Sequence, residues 1–522
     1  MRHCPRRFST DMSRFTQVLG TYEQILKVGA RAKTTRPPTS DEINFNSEIR
    51  NTTHSIIKKR VKVLCIPPTF FSRESYGNMQ IIGHSSFEND DVTRSVLHKV
   101  QLASDKPFSV VNLSIRNVNF NNQPIREAFL SLFHQRDRQW EEISFYDCAS
   151  GGAGAGIGSL VEQVLRHANV LDLTIFAGHV ERDVFQALSK WLPQNRSIKT
   201  IQIKSRLDDP EHMSLLAAAV AQSQTLQNLE LDGSTLSQAS AEALSRGLSR
   251  NASIQRFRFA QCYATDHMIE VLVRSIQHHP TLRELILYGN QCRAGGLTAI
   301  SNMLETTPSL QEMDLTWQDI NEGHTSELDF SILARGLAQN NTLKTLHLSR
   351  NVISPESAEA LASVLTQNQT LEHLSLRGCY LECESMKSFA QYLPNMKGLK
   401  RLWLHSNKGI GEEGSGTLLE GLKHNVNLVE LILSPPVWKC TKEMNHLLDL
   451  NWGGGRRLSG ASRNEKIPLS LWPCCLERVN RRTLTALPLL SSDTGKSAGE
   501  RDLSRRADIL YFFVREILSE VL

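Results

Sequence analysis

An apolar-x-x-apolar-x-apolar spacing recurs through this 522-residue chain, beginning at Val110, Trp140, Val170, Ile198, Leu226, Ile254, Leu282, Leu310, Leu343, Leu371, Leu399 and Leu428. Seven of the eleven intervals are 28 residues; the others are 30, 30, 33 and 29. A period of that length holds one strand and one helix, too little to bury its own apolar face, so each unit must stack on its neighbours. In LKTLHLSRNVISPESAEALASVLTQNQT, from Leu343, the residues Leu343, Leu346 and Leu348 share one side of a short strand because side chains alternate. Ala358, Leu361 and Leu365 then recur at three and four residues, the stripe of an amphipathic helix. The unit from Leu371, LEHLSLRGCYLECESMKSFAQYLPNMKG, repeats the pattern. The expected fold is α/β, with parallel strands in one sheet covered by helices, and Leu285, Leu315, Leu346 and Leu374 aligned in adjacent strands.

The ninth position of the unit is Asn290, Asn351 or Asn407 in three cases and Cys148, Cys262 or Cys379 in three others. A buried amide there bonds backbone groups left unpaired as the chain turns out of the strand, and a thiol fills the same small site. With these residues the units resemble the ribonuclease-inhibitor-like leucine-rich repeats also found in Ran GTPase-activating proteins, tropomodulins and the sensor arms of NOD-like receptors. The resemblance covers about residues 108–434. It implies a curved solenoid with the sheet inside and helices outside, and says little about function, because such proteins bind quite different partners.

Three regions are expected: a basic N-terminal arm and capping region over 1–107, a solenoid of about twelve units over 108–434, and a C-terminal helical capping module over 435–522. The N-terminal region holds a helical pattern at Phe15 to Lys27 and a polar break at Arg36 to Glu42. Beyond Pro435 and Pro436 the tail reads LNWGGGRRL, IPLSLWPCCLERVNRR and ADILYFFVREIL. It resembles a module attached to repeat proteins of diatom-type algae, which transfers no activity. A block covering the last coil is what an open solenoid needs.

Charge is distributed unevenly. The chain carries +5, but residues 1–60 hold 12 Lys and Arg against 5 Asp and Glu, leaving −2 for the remainder. A short basic arm reads first as a solvated tail, so nucleic acid is not the expected partner. No apolar run approaches the ~20 residues of a spanning helix. MRHCPRRFST lacks the apolar block of a secretory signal, and its Arg and Ser content resembles a mitochondrial transit peptide only in part. The expected compartment is the cytoplasm, with the nucleus next.

Several motifs invite chemical readings and have plainer ones. The run GGAGAGIGS, Gly151 to Ser159, imitates a dinucleotide-binding turn before a helix, but its spacing is not G-x-G-x-x-G and no GK[ST] follows; it reads as a loop. Cys474 and Cys475 are adjacent, Cys379 and Cys383 stand four apart, and no second pair completes a zinc set. N-x-[ST] occurs at Asn112, Asn195, Asn251, Asn340 and Asn368, among others, mostly just before a strand, where the repeat wants a polar turn. No G-x-S-x-G or H-E-x-x-H is present. No catalytic residue, cofactor, metal or small-molecule substrate is expected.

Strand positions that alternate with the buried ones face outward from the coil. They are Asn228, Glu230 and Asp232; Arg256 and Arg258; Glu284 and Tyr288; Glu312, Asp314 and Trp317; Thr345 and His347; His373 and Arg377; and Arg401, Trp403 and His405. Charge changes sign in blocks, and aromatic and arginine side chains are the types enriched at interface hot spots. The expected contact residues are Tyr288, Glu312, Asp314, Trp317, His347, His373, Arg377, Arg401, Trp403 and His405. Against this, side chains on parallel strands also stack into ladders that stabilise a sheet without any ligand. The expected function is a non-enzymatic scaffold binding a protein partner on the concave sheet face. The alternative, implied by the resemblance, is a GTPase-activating or GTPase-regulating protein of the Ran type, although the tail here carries LERVNRR and RDLSRR where those proteins carry acids.

Overall fold

The structure, a computed structural model, describes residues 78–82, 90–105, 112–134, 139–148, 157–318, 329–434 and 438–453. The chain divides into two compact units, Met1–Glu74 and Ser75–Leu522, and all described residues belong to the second. The Phe15 to Lys27 helical pattern, the glycines up to Gly156, Cys474 and Cys475 and the tail motifs beyond Gly453 lie outside the described residues.

Strands and helices alternate, and every sheet pairing is parallel. The path runs β1 (Asn78–Ile82), β2 (Asn112–Arg116), β3 (Gln139–Tyr146), β4 (Asn169–His179), β5 (Thr200–Leu207), β6 (Asn228–Glu230), β8 (Arg256–Arg258), β9 (Glu284–Ile286), β10 (Glu312–Asp314), β11 (Thr345–His347), β12 (His373–Ser375), β13 (Arg401–Trp403) and β14 (Glu430–Ile432), with a short β7 (Thr235–Leu236) beside β5. β1, and the helix α1 (Asp90–Asp105) that follows it, precede the first unit of the sequence register and add one strand to the sheet. Adjacent strands lie about 4.8 Å apart whereas packed helices need 8–10 Å. The strand side of the array is therefore the shorter, concave side.

Leu285, Met313, Leu346, Leu374, Leu402 and Leu431 occupy one inward row. Leu315 does not join it, contrary to the expected alignment: it lies two residues further along β10's chain, and Met313 takes the place beside Leu285 and Leu346. The reason is that each unit carries two inward positions after its first leucine, and Leu315 is the second. Both rows are closed to solvent up to Leu402 and Leu404, with Leu431 and Leu433 of the last strand partly covered, and Ala358, Leu361 and Leu365 on the helix α10 (Pro355–Val364) and just after it are buried too. Each coil therefore buries apolar side chains from both its elements, at roughly 1.5–3 kcal/mol for each large one.

Two polar ladders stitch the coils. At the ninth position, Asn290 Nδ2 donates to Phe259 O and Leu287 O, both at 2.8 Å, while its Oδ1 accepts from the amides of Cys262 and Ala264. Asn351 and Asn407 repeat this bonding. Ser234 and Gln318 hold the same position and also bond across coils, which sequence inspection missed. The cysteines there donate instead: Cys262 Sγ to Leu231 O at 2.6 Å and Cys379 Sγ to Leu348 O at 3.2 Å. Burial pushes the Cys148 thiol up to about 11 and that of Cys379 to about 12, so both remain protonated and inert.

The second ladder follows the helices. Asn195, Asn251, Asn340 and Asn368 each donate Nδ2 to a carbonyl closing the previous helix and accept from the amides two and three residues ahead. Four of the five N-x-[ST] motifs named above are thus structural turns with buried amides. The fifth, Asn112, bonds Asn78 Oδ1 across β1 and β2 at 2.7 Å. Asn425 continues the ladder, and Asn451, in the helix α13 (Trp438–Gly453), donates to Asn425 O and Leu428 O. α13 thereby fastens to the last coil with Met444 and Leu448 buried.

Candidate functional site

The sheet face turned away from the helices is the one broad surface the repeat leaves for chemistry. Its side chains sit in rows, because parallel register places equivalent positions side by side about 4.8 Å apart. One row runs Arg256, Glu284, Glu312, Thr345, His373, Arg401 and Glu430; the next runs Arg258, Ile286, Asp314, His347, Ser375, Trp403 and Ile432.

Towards β6 and β8 the charges neutralise one another. Arg256 Nε donates to Glu284 Oε2 at 2.5 Å and stands 3.9 Å from Glu230, while Arg258 Nε reaches Asp232 at 2.7 Å. Burial raises the Glu230 carboxyl above its ordinary range, with Asp232 adding to the effect. These cations are committed to the sheet.

Towards β14 the pattern changes. His347 meets His373 edge-on at 5.1 Å, His373 meets Trp403 at 4.2 Å, and Trp403 lies 6.3 Å from His405. Trp403 Nε1 donates to Glu430 Oε1 at 3.0 Å. Burial, with Arg401 and His347 nearby, holds the His373 imidazole down to about 3, so it is neutral at physiological pH. Burial and the Arg377 guanidinium lower His405 likewise. His373 Nε2 and His405 Nδ1 are buried with no hydrogen-bond partner. Arg377 and Arg401 stand exposed on either side of this cluster.

Tyr288, Glu312, Asp314, His347, Trp403 and His405 are half-buried on the same face, and His347 Nε2 comes within 3.9 Å of Glu312. His373 is 5% exposed, so it is a floor residue and not the open contact that alternation suggests. Trp317 reaches the face by a different route. Strand alternation points Thr316 outward; Trp317 follows in the left-handed region at φ 54° and leans on Tyr288, ring to ring 6.0 Å. Glycine holds the same unit position at Gly233, Gly289 and Gly378, also with positive φ. The turn itself imposes that backbone, at a cost of about 1–2 kcal/mol for a residue with a side chain.

A further row escaped sequence inspection. Arg116, Tyr146, Phe176 and Lys204 are register neighbours on β2 to β5. The Arg116 guanidinium sits 4.1 Å over Tyr146, Tyr146 and Phe176 are 5.7 Å apart, and Lys204 Nζ lies 4.9 Å over Phe176. All four occupy the seventh position of their units, a signal visible once the register is read that far. The end of the glycine run also has a structural account. The Gly158 amide, at the start of the helix α3 (Ile157–His167), donates to Asp183 Oδ2 at 3.2 Å, and a Cβ on Gly158 would meet Asp183 at 2.3 Å. A carboxylate of the next coil thus occupies the helix end where a phosphate would sit. Among the described residues no group of three His, Cys, Asp or Glu side chains is placed to hold a metal, and no helix is long and apolar enough to cross a membrane.

Comparison with known proteins bears on the repeat. A chicken (Gallus gallus) protein, leucine-rich repeat-containing protein 45, is 28% identical over 133 residues, 26% of this chain and 19% of its own, so the match spans about a fifth of that relative. Among solved structures, one similar chain comes from the Rad7 and Elc1 complex in yeast, with TM-score 0.39, 12% identity, and coverage of 82% of this chain and 87% of the other. Another comes from the TLR13–ssRNA13 complex, with TM-score 0.36, 15% identity, and coverage of 62% and 39%. A family model described as Leucine Rich repeat matches residues 339–362. Those residues are one turn of the register that runs from Val110 to Leu428, and by that register and its parallel sheet the chain is a leucine-rich-repeat protein.

Proposed function

We propose that this chain is a non-enzymatic scaffold whose concave sheet face docks a protein partner. Leucine-rich-repeat proteins generally mediate protein–protein interactions. The observation that carries the reading here is the run of Tyr288, Trp317, Arg377, Arg401 and Trp403 along one continuous face, all exposed or half-buried. A sheet that needed only solubility would carry small polar residues there, and Trp, Tyr and Arg are the side chains that dominate binding energy where interfaces desolvate. The blocks of opposite charge would orient the partner and hasten encounter. The expected setting is the cytoplasm or the nucleus.

Proximity labelling in cells with wild type, Tyr288→Ala/Trp317→Ala and Arg377→Glu/Arg401→Glu, each checked for a native circular-dichroism melt, tests the proposal. Loss of a shared set of labelled proteins in the face variants supports it. An identical labelled set for all three proteins refutes it.

A further inference from the structure

On the sheet face, cations near β8 are spent on neighbouring acids, and Lys400 is bound to Glu372 at 2.6 Å. Arg377 and Arg401 differ: both are exposed, and neither guanidinium makes an ion pair or hydrogen bond among the described residues. Glu430, the register neighbour of Arg401, is held by the Trp403 indole instead. Beside each arginine lies an imidazole nitrogen that is buried and unpartnered, His373 Nε2 near Arg401 and His405 Nδ1 near Arg377. Both rings are held in the neutral form, so the two arginines carry the positive charge of this patch.

We infer that this patch receives an extended acidic segment of the protein partner, with two carboxylates four residues apart, one on Arg401 and one on Arg377. The inference rests on the docking role proposed above and specifies its chemistry. Arg377 stands four residues beyond His373, the register partner of Arg401; past the end of β12 the coil-to-coil bonding continues from Leu376 N–H to Trp403 O and from Gly378 N–H to His405 O, so the two Cα atoms are about 14 Å apart at an extended rise. An extended chain places side chains i and i+4 at the same separation. Each carboxylate would accept from the two-pronged N–H fork of one guanidinium. Trp403 and His405 lie between the two ends and offer a ring surface to the intervening residues. Glu312 and Asp314, on β10, repel an acidic segment from that part of the face and favour its placement on β12 and β13.

A phage-displayed random dodecapeptide library, selected on the full chain and counter-selected on Arg377→Glu/Arg401→Glu, tests this. Enriched peptides should carry Asp or Glu pairs spaced i,i+4. The strongest, labelled with fluorescein, should lose roughly tenfold or more in affinity on the double variant, and as much when its two acids become Asn or Gln. Selection with no acidic bias, equal binding to the double variant, or tighter binding of a singly phosphorylated peptide than of the paired-acid one overturns the inference. The labelling experiment separates its failure from failure of the docking role. If Tyr288→Ala/Trp317→Ala depletes the labelled set and Arg377→Glu/Arg401→Glu does not, the acidic-segment assignment falls and the docking face stands.

Discussion

Asn368 joins two coils with one side chain: its amide nitrogen serves Leu337 O and Asn340 O, and its oxygen serves the amides of Thr370 and Leu371. Asn368→Ala should cost about 2–3 kcal/mol, because it strands buried backbone groups on both sides, and should lower the urea midpoint. His279 occupies the equivalent position of its unit, yet only its Nδ1 is engaged, accepting from the Thr281 amide at 3.4 Å, while Nε2 is buried without a partner. His279→Asn would place an amide against Leu248 O and Asn251 O, and we expect a gain of about 1 kcal/mol, seen as a higher thermal midpoint. His373 supplies the pH-sensitive case. Its folded-state pKa, about 3, lies below the ordinary histidine value of 6.5, so the unfolded chain binds the proton first as pH falls. Its stabilising effect is complete above pH 6.5 and is lost between 6.5 and 3, at up to about 1.4 kcal/mol per pH unit. Urea midpoints of His373→Gln between pH 7.5 and 4 should fall less steeply than those of wild type; parallel curves would contradict the assignment.

At the scale of the element, a strand of three residues such as β11 is too short to persist alone and exists because its row is closed by the next coil. Leu346, fully buried between Met313 and Leu374, shows what depends on that closure. Leu346→Asp buries a carboxylate with no cation in reach, a cost of several kcal/mol, and should open β10 to β12 to proteolysis while leaving distant coils protected. The alternation of apolar residues made these strands legible in advance. The spacing from Leu310 and Leu343 itself places Met313 and Leu346 at the same fourth position and Leu315 with Leu348 at the sixth, so the expected pairing of Leu315 with Leu346 mixes two inward rows that the letters already separate.

Across the molecule, stability is spread over neighbour-to-neighbour contacts, so the ends matter more than in a compact domain. Removing residues 438–522 takes away Asn451 and the α13 side chains that cover the last coil. Amide exchange should then accelerate in β14 and in the helix Gly411–His424, and the effect should fade coil by coil toward β9. Binding, by contrast, should respond to salt. With a Debye length of about 8 Å at physiological ionic strength, contacts through exposed Arg377 and Arg401 weaken as salt rises, while the buried rows are indifferent to it.

The sequence alone determined the repeat, its period, the strand-then-helix order and the apolar strand and helix positions buried in each coil, because apolar periodicity is a local property written into every unit. It also located the ninth-position asparagines and cysteines and most of the outward residues, but not the bonding of the second ladder at the helix ends. Tertiary structure decided which of those outward residues are free. Arg256 and Arg401 occupy the same row, but the first is neutralised by Glu284 and the second is left exposed because Glu430 turns to Trp403. That difference arises between coils, from partners about 28 residues away along the chain, and no single unit contains it.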